Sequence, residues 1–174
     1  MQLTTDSFSL VEYLSVFTAF IYGYVATRFL SGWGAMINFR HAVKFSKEHL
    51  FWTFLTFGLL IDVWWGSWVK NNFIAHNMLL YYLSILPILI FYLISVILFP
   101  PLSEDRFWDL KQYFNRVRKR QYLLFIGLFL SFEVGQIFFG RKLIEDRYFN
   151  LTAIAFAVAG YSLNRPLIQY IVLA

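Results

Sequence analysis

Long apolar runs recur along this chain with only short charged segments between them, a pattern that few folds accept. Four or five of the runs come close to the ~20 apolar residues needed to cross a hydrocarbon layer of ~30 Å. Residues 49–69, HLFWTFLTFGLLIDVWWGSWV, show the pattern and its exception, because a single carboxylate, Asp62, lies inside an otherwise apolar and aromatic stretch. An acid in a membrane-spanning helix costs about 2.5–3.5 kcal/mol on insertion, so Asp62 must face protein or water and not lipid. Gly58 and Gly66 stand four residues to either side. The three share one helical stripe where a second helix can approach closely.

Composition narrows the class. The 174 residues are 59% hydrophobic and 14% charged, which points to an integral membrane protein, all-α, with one transmembrane bundle over 1–174. With no cysteine, the chain has no disulfide exchange, thiolate catalysis or Cys-ligated metal. The net charge of +5 sits in the segments between apolar runs, the distribution expected of topology signals and anionic lipid contact and not of nucleic-acid binding. The first ten residues, MQLTTDSFSL, lack the basic region and small-residue cleavage site of a secretory signal, so the first run is expected to stay in the mature protein.

About five spans are expected. The first runs from about Phe8 to Phe29, with room to extend to Asn38, capped by Asp6 or Ser7 with Glu12 near its dipole. Along it Ser15, Ala19, Gly23, Thr27 and Ser31 repeat every four residues, a groove suited to close helix packing. After a basic turn at 40–48, the second span ends in Trp64, Trp65 and Trp68, an interfacial aromatic belt. The third covers about Met78 to Phe99, is expected to kink at Pro87, and stops at Pro100-Pro101. In 103–120, Ser103 can cap a helix, and Phe107, Leu110, Phe114 and Val117 recur at spacings of three and four. This segment reads as an amphipathic helix lying on the membrane surface, with Arg116, Arg118, Lys119 and Arg120 toward lipid headgroups or a partner. The fourth span, about Gln121 to Gly140, carries a small stripe in Gly127, Ser131 and Gly135. Glu133 lies roughly opposite that stripe, near Gln136. The fifth covers about Phe149 to Leu163, and the final LIQYIVLA either completes it or lies along the interface.

Five spans alternate the loops between two sides. The segments at 40–48 and 103–120 carry nine Lys and Arg, against four on the other side, which favours an outside N-terminus and an inside C-terminus. Asp62 and Glu133 then both lie about 18–20 Å from the inner surface, at ~1.5 Å per residue. Two acids at one depth, with Gln136 beside the second, suit an ion or proton pathway. The alternative is that each is a packing group satisfied by a hydroxyl or indole on the next helix.

Other chemistries find less support. His41, His49 and His76 fall at loops or helix ends and read as solvated residues, with no axial haem ligand within a span. No Walker loop, selectivity-filter sequence or nucleophile with neighbouring base appears, so neither a cofactor, a metal nor an enzymatic activity is expected. The segments TRFLSG at 27–32, IDVWWGSW at 61–68, LFPP at 98–101 and DLKQYFNRVRKRQYLLF at 109–125 together resemble a recurring type of small bacterial multi-pass membrane protein with no assigned activity. That resemblance implies a bacterial cytoplasmic membrane and brings no site residues with it. The leading expectation is a homo-oligomer that conducts ions or protons or permeabilises the membrane. The runner-up is a non-conducting sensor or module that binds lipid or a cytoplasmic protein through the basic segment.

Overall fold

Each long apolar run folds as a helix, the form that satisfies every backbone donor and acceptor within its own segment. The computed structural model describes residues 10–67, 78–101, 107–138 and 144–162. In it α1 spans Leu10–Asn38, α2 Lys47–Ser67, α3 Met78–Leu98, α4 Leu110–Phe138 and α5 Ile144–Ser162. Two short strands, β1 (Val43–Lys44) and β2 (Trp108–Asp109), pair in parallel and join the α1–α2 turn to the start of α4. Among the described residues three helices are long and apolar enough to cross a membrane: α1 from Glu12 to Asn38, α3 and α4. Residues 49–67 of the stretch read as the second span fall in α2, which is not one of them, and residues 68 and 69 lie outside the described residues. Lys47, Glu48, Thr53, Thr56, two glycines, Asp62 and its tryptophans dilute its hydropathy.

Side-chain contacts fix the helix directions. Thr18 meets Tyr81, Tyr24 meets Tyr92 and Phe29 meets Phe99, so α1 and α3 run the same way. Phe29 meets Phe57 while Trp33 meets Thr53, so α2 runs back against α1. His49 lies against Phe114 and Trp52 against Tyr122 and Phe125, which makes α4 parallel to α2. Glu133 with Asn150 and Tyr122 with Gly160 set α5 antiparallel to α4. The bundle is therefore up-and-down throughout. Its outer surface is apolar: on α3, Leu79, Tyr82, Leu86, Leu89, Leu93 and Val96 form one exposed stripe. A continuous apolar coat of this kind is rare on a protein surrounded by water.

The core is aromatic, and that corrects the packing expected from small residues. The inner stripe of α1 is Tyr22, Val25, Phe29 and Met36, whereas Ala19, Gly23, Thr27 and Ser31 are exposed and Ser15 is half-buried. Thr27 turns its hydroxyl back to the Gly23 carbonyl at 2.8 Å. A Cβ placed on Gly23, Gly58, Gly66 or Gly127 would meet no neighbour among the described residues, so these glycines do not mark close helix approaches there. Gly135 is half-buried and Ser131 is buried, its hydroxyl spent on the Leu128 carbonyl. The close approaches lie elsewhere: Gly32 lies flat against the Phe99 ring and Gly160 against the Tyr122 ring. Large rings need a neighbour without a side chain, and one glycine per ring suffices.

The surface helix expected at 103–120 is also corrected. α4 is one 29-residue helix from Leu110, and the apolar stripe of its first turns, Leu110 and Phe114, is fully buried in the bundle. The period was helical, but the face packs on protein and not on lipid. Phe107 precedes the helix and is exposed. α3 continues through Pro87, whose ring is buried. The expected caps at Asp6, Ser7 and Ser103, the belt residue Trp68, His76 and the C-terminal run lie outside the described residues.

Gly32→Ala is expected to destabilise the protein by about 1–3 kcal/mol, because the Phe99 ring must leave its place. Gly23→Ala should change stability by less than about 0.5 kcal/mol. Thermal unfolding of the two variants side by side in one detergent checks both.

Candidate functional site

α2 decides where the first acid points. His49, Thr53, Thr56 and Leu60 recur at spacings of four, three and four, and all four are buried. The threonines survive there because their hydroxyls bond within the helix, Thr53 to the Leu50 carbonyl at 2.8 Å and Thr56 to the Trp52 carbonyl at 2.7 Å. The Trp33 indole also donates to the Thr53 hydroxyl at 3.1 Å. Asp62 follows Leu60 by two residues, about 200° round the helix, and is exposed on the outer surface. It has no hydrogen bond or ion pair among the described residues. Around the axis it lies about 80° from Trp52, which faces α4, and about 140° from Phe57, which faces α1.

The second acid is held. Glu133 Oε1 accepts a hydrogen bond from the Asn150 side-chain amide at 3.0 Å, with Asn150 buried on α5. The partner is thus a carboxamide, where a hydroxyl or indole was expected. Gln136 is half-buried and shares a stripe with Phe125, the stripe of α4 that meets Trp52 of α2. Counted from the Trp52–Phe125 contact, Asp62 and Glu133 differ in height by about 3 Å, and counted from His49–Phe114 by about 9 Å.

α2 and α5 both pack on α4 and barely touch one another. Tyr122 bridges them at the end that carries the two-strand ladder, its ring against Trp52 on one side and Gly160 on the other. Beyond Tyr122, among the described residues, α4 forms the floor between α2 and α5. Asp62 stands on the outer flank of one wall, Glu133 with Asn150 by the other, and Gln136 on the floor. Carboxylates and carboxamides in this arrangement can pass or hold a cation or proton. Among the described residues no three metal-ligating side chains come together.

The end of the bundle at the two-strand ladder carries a second set of polar groups. Asp109 caps α4, its Oδ1 accepting the backbone N–H groups of Lys111 and Gln112 at 3.0 and 3.1 Å. Its Oδ2 pairs with Lys44 Nζ at 3.1 Å, across the two-strand ladder. One carboxylate therefore caps a helix and clasps the α1–α2 turn to it. The Gln112 amide first, and then Lys44, hold the Asp109 carboxyl below the usual carboxylate range. Arg116, Lys119 and Arg120 are exposed, whereas Arg118 is half-buried with its Nε enclosed and unpartnered.

His49 overturns its reading as a solvated residue. It is 0% exposed, ringed by Phe99 and Phe114, with Nε2 2.7 Å from the Leu98 carbonyl. Tyr113 donates its hydroxyl to the Ile97 carbonyl at 2.8 Å. His41 is exposed as expected. Asn150, His49, Tyr113 and Asp109 were not picked out as site residues. Asn150 and Asp109 left a trace in the sequence, an amide inside an apolar helix and an Asp three residues before a Gln.

No family model, curated protein or solved structure matches the chain. Fold and site define its class, a multi-pass α-helical bundle of the kind that lives in a membrane, with polar groups set between its helices.

Because the Asp109 carboxyl is held low in the folded state, its charge stabilises the protein at neutral pH, and that contribution fades as pH falls through and below the ordinary carboxylate range. Asp109→Asn keeps a good capping side chain and removes only the charge. The gap in thermal stability between wild type and Asp109→Asn should therefore shrink between about pH 7 and pH 3.

Proposed function

We propose that the protein is a small homo-oligomeric channel or pore of a bacterial cytoplasmic membrane, with ions or protons passing along the groove between α2 and α5. The observation that carries the reading is the exposed position of Asp62, in the second half of α2 among Leu59, Leu60, Ile61 and Val63. An acid facing lipid costs about 2.5–3.5 kcal/mol, and a second copy laid over that face, or water held by one, removes the cost. The unfilled stripes through Gly58 and Gly66 on α2, and through Gly23 and Thr27 on α1, let another helix come close on the same outer surface. Symmetric copies then close the groove into a path lined by Asp62, Glu133 and Gln136.

The helix directions support the reading of five crossings. α1 and α3 point the same way, so if both cross the membrane the chain must cross back between them, and α2 is the helix available. The charge count then sets the clasped end, with Lys44 and Asp109, on the inside together with the C-terminus. A second reading, a non-conducting module that engages anionic lipid or a cytoplasmic protein, draws on the exposed Arg116, Lys119 and Arg120 at that end.

In liposomes, wild-type protein should carry a cation or proton flux that Asp62→Asn lowers by about tenfold, some 1.4 kcal/mol on the barrier. Glu133→Gln should lower it less, since Asn150 can still hold the amide. A monomeric protein in nanodiscs, or a flux indifferent to both substitutions, overturns the proposal.

A further inference from the structure

Three side chains at the inner end have enclosed polar atoms with no hydrogen-bond partner: Glu48 Oε2 on α2, and Arg118 Nε and both amide atoms of Gln121 on α4. Gln121 is 2% exposed. Leaving a buried polar group unpaired costs about 1–3 kcal/mol, more for a charged one, so the site calls for something polar.

Geometry brings the three to one place. Glu48 and Trp52 are one turn apart on α2, and Arg118 and Tyr122 are one turn apart on α4. The two helices are parallel, and the upper members of these pairs touch, the Trp52 and Tyr122 rings meeting edge to face at 5.6 Å. Stepping one turn down each helix sets Glu48 opposite Arg118, an acid and a base facing across the groove beneath a roof of two rings. Gln121 lies between Phe114 and Phe125, both of which meet Trp52. Yet no ion pair joins Glu48 to Arg118.

The outer face of α4 gives the depth. Arg116, Lys119 and Arg120 are exposed, and beyond them the exposed residues of α4 are Leu123, Leu130, Val134, Ile137 and Phe138. The change from cationic to apolar within one turn puts the site at the level of lipid phosphates.

We infer that Glu48, Arg118 and Gln121, beneath Trp52 and Tyr122, bind the headgroup of an aminophospholipid. Arg118 takes the phosphate, Glu48 the primary ammonium, and Gln121 supplies a donor and an acceptor beside them. A zwitterion satisfies both charges at once, which neither a purely anionic headgroup nor an acidic peptide does. The inference rests on the membrane reading of the fold and is independent of conduction.

The test is native mass spectrometry of the full chain in neutral detergent, offered equimolar phosphatidylethanolamine, phosphatidylcholine and phosphatidylglycerol. Wild type should retain the ethanolamine lipid about tenfold over either competitor, the worth of one charge-assisted hydrogen bond. Glu48→Gln should erase its advantage over the choline lipid, whose quaternary ammonium donates no hydrogen bond. Arg118→Gln should lower retention of all three, and Asn115→Ala, on the exposed face of α4, should alter nothing. Equal retention of the three lipids by wild type overturns the inference without recourse to a variant. So does equal loss of thermal stability in Glu48→Gln and Arg118→Gln with lipid preference unchanged, the mark of a direct or water-bridged ion pair.

Discussion

The end of α3 is the constraint on which the bundle depends. Pro100 and Pro101 stop the helix and supply no N–H, so its last carbonyls look for donors outside their own segment. The hydroxyl of Tyr113 on α4 reaches the Ile97 carbonyl, and the imidazole of His49 on α2 reaches that of Leu98. Two side chains thereby tie three helices at one point. Phe99, the residue after the helix, drops flat onto Gly32 of α1 and brings the fourth. Phe29, Trp33 and Phe57 close around this knot edge-on or tilted against one another, and Phe114 meets His49 edge-on. The registers of α1, α2, α3 and α4 all follow from it, and the clasp between Lys44 and Asp109 seals the same end from outside.

How much of this was legible depends on what is asked. The helices themselves were, since apolar runs of span length and a double proline leave little choice, and the ends of α2 and α3 fall within a few residues of expectation. The rotation of each helix was not. A helix that is apolar all round offers no stripe to orient it, and small residues then look like the packing face. Here the rings pack, and Gly23 and Gly58 look outward. His49 illustrates the limit most plainly: its partner carbonyl lies 49 residues away, and no local pattern reports that. Phe114 shows a different failure, for its helical period was read correctly and assigned to the wrong neighbour.

The same uncertainty in rotation bears on the acids. Counting residues puts them at similar depth but does not report their surroundings, and these prove unlike. Glu133 is satisfied inside the chain by Asn150, whereas Asp62 is presented outward with its requirement unmet. That asymmetry gives the outer face of α2 its meaning in the oligomeric reading.

All of this requires α2 to cross the membrane although it is less apolar than its neighbours. The chain contains no cysteine, so single cysteines can be read without background. Lys44→Cys, Gln112→Cys and Asn71→Cys, each probed in intact cells and in inverted vesicles with a membrane-impermeant maleimide, test the crossing directly. Labelling of Cys at 44 and 112 only in inverted vesicles, and at 71 only in intact cells, is the predicted result. Labelling of positions 44 and 71 from the same side would contradict the account.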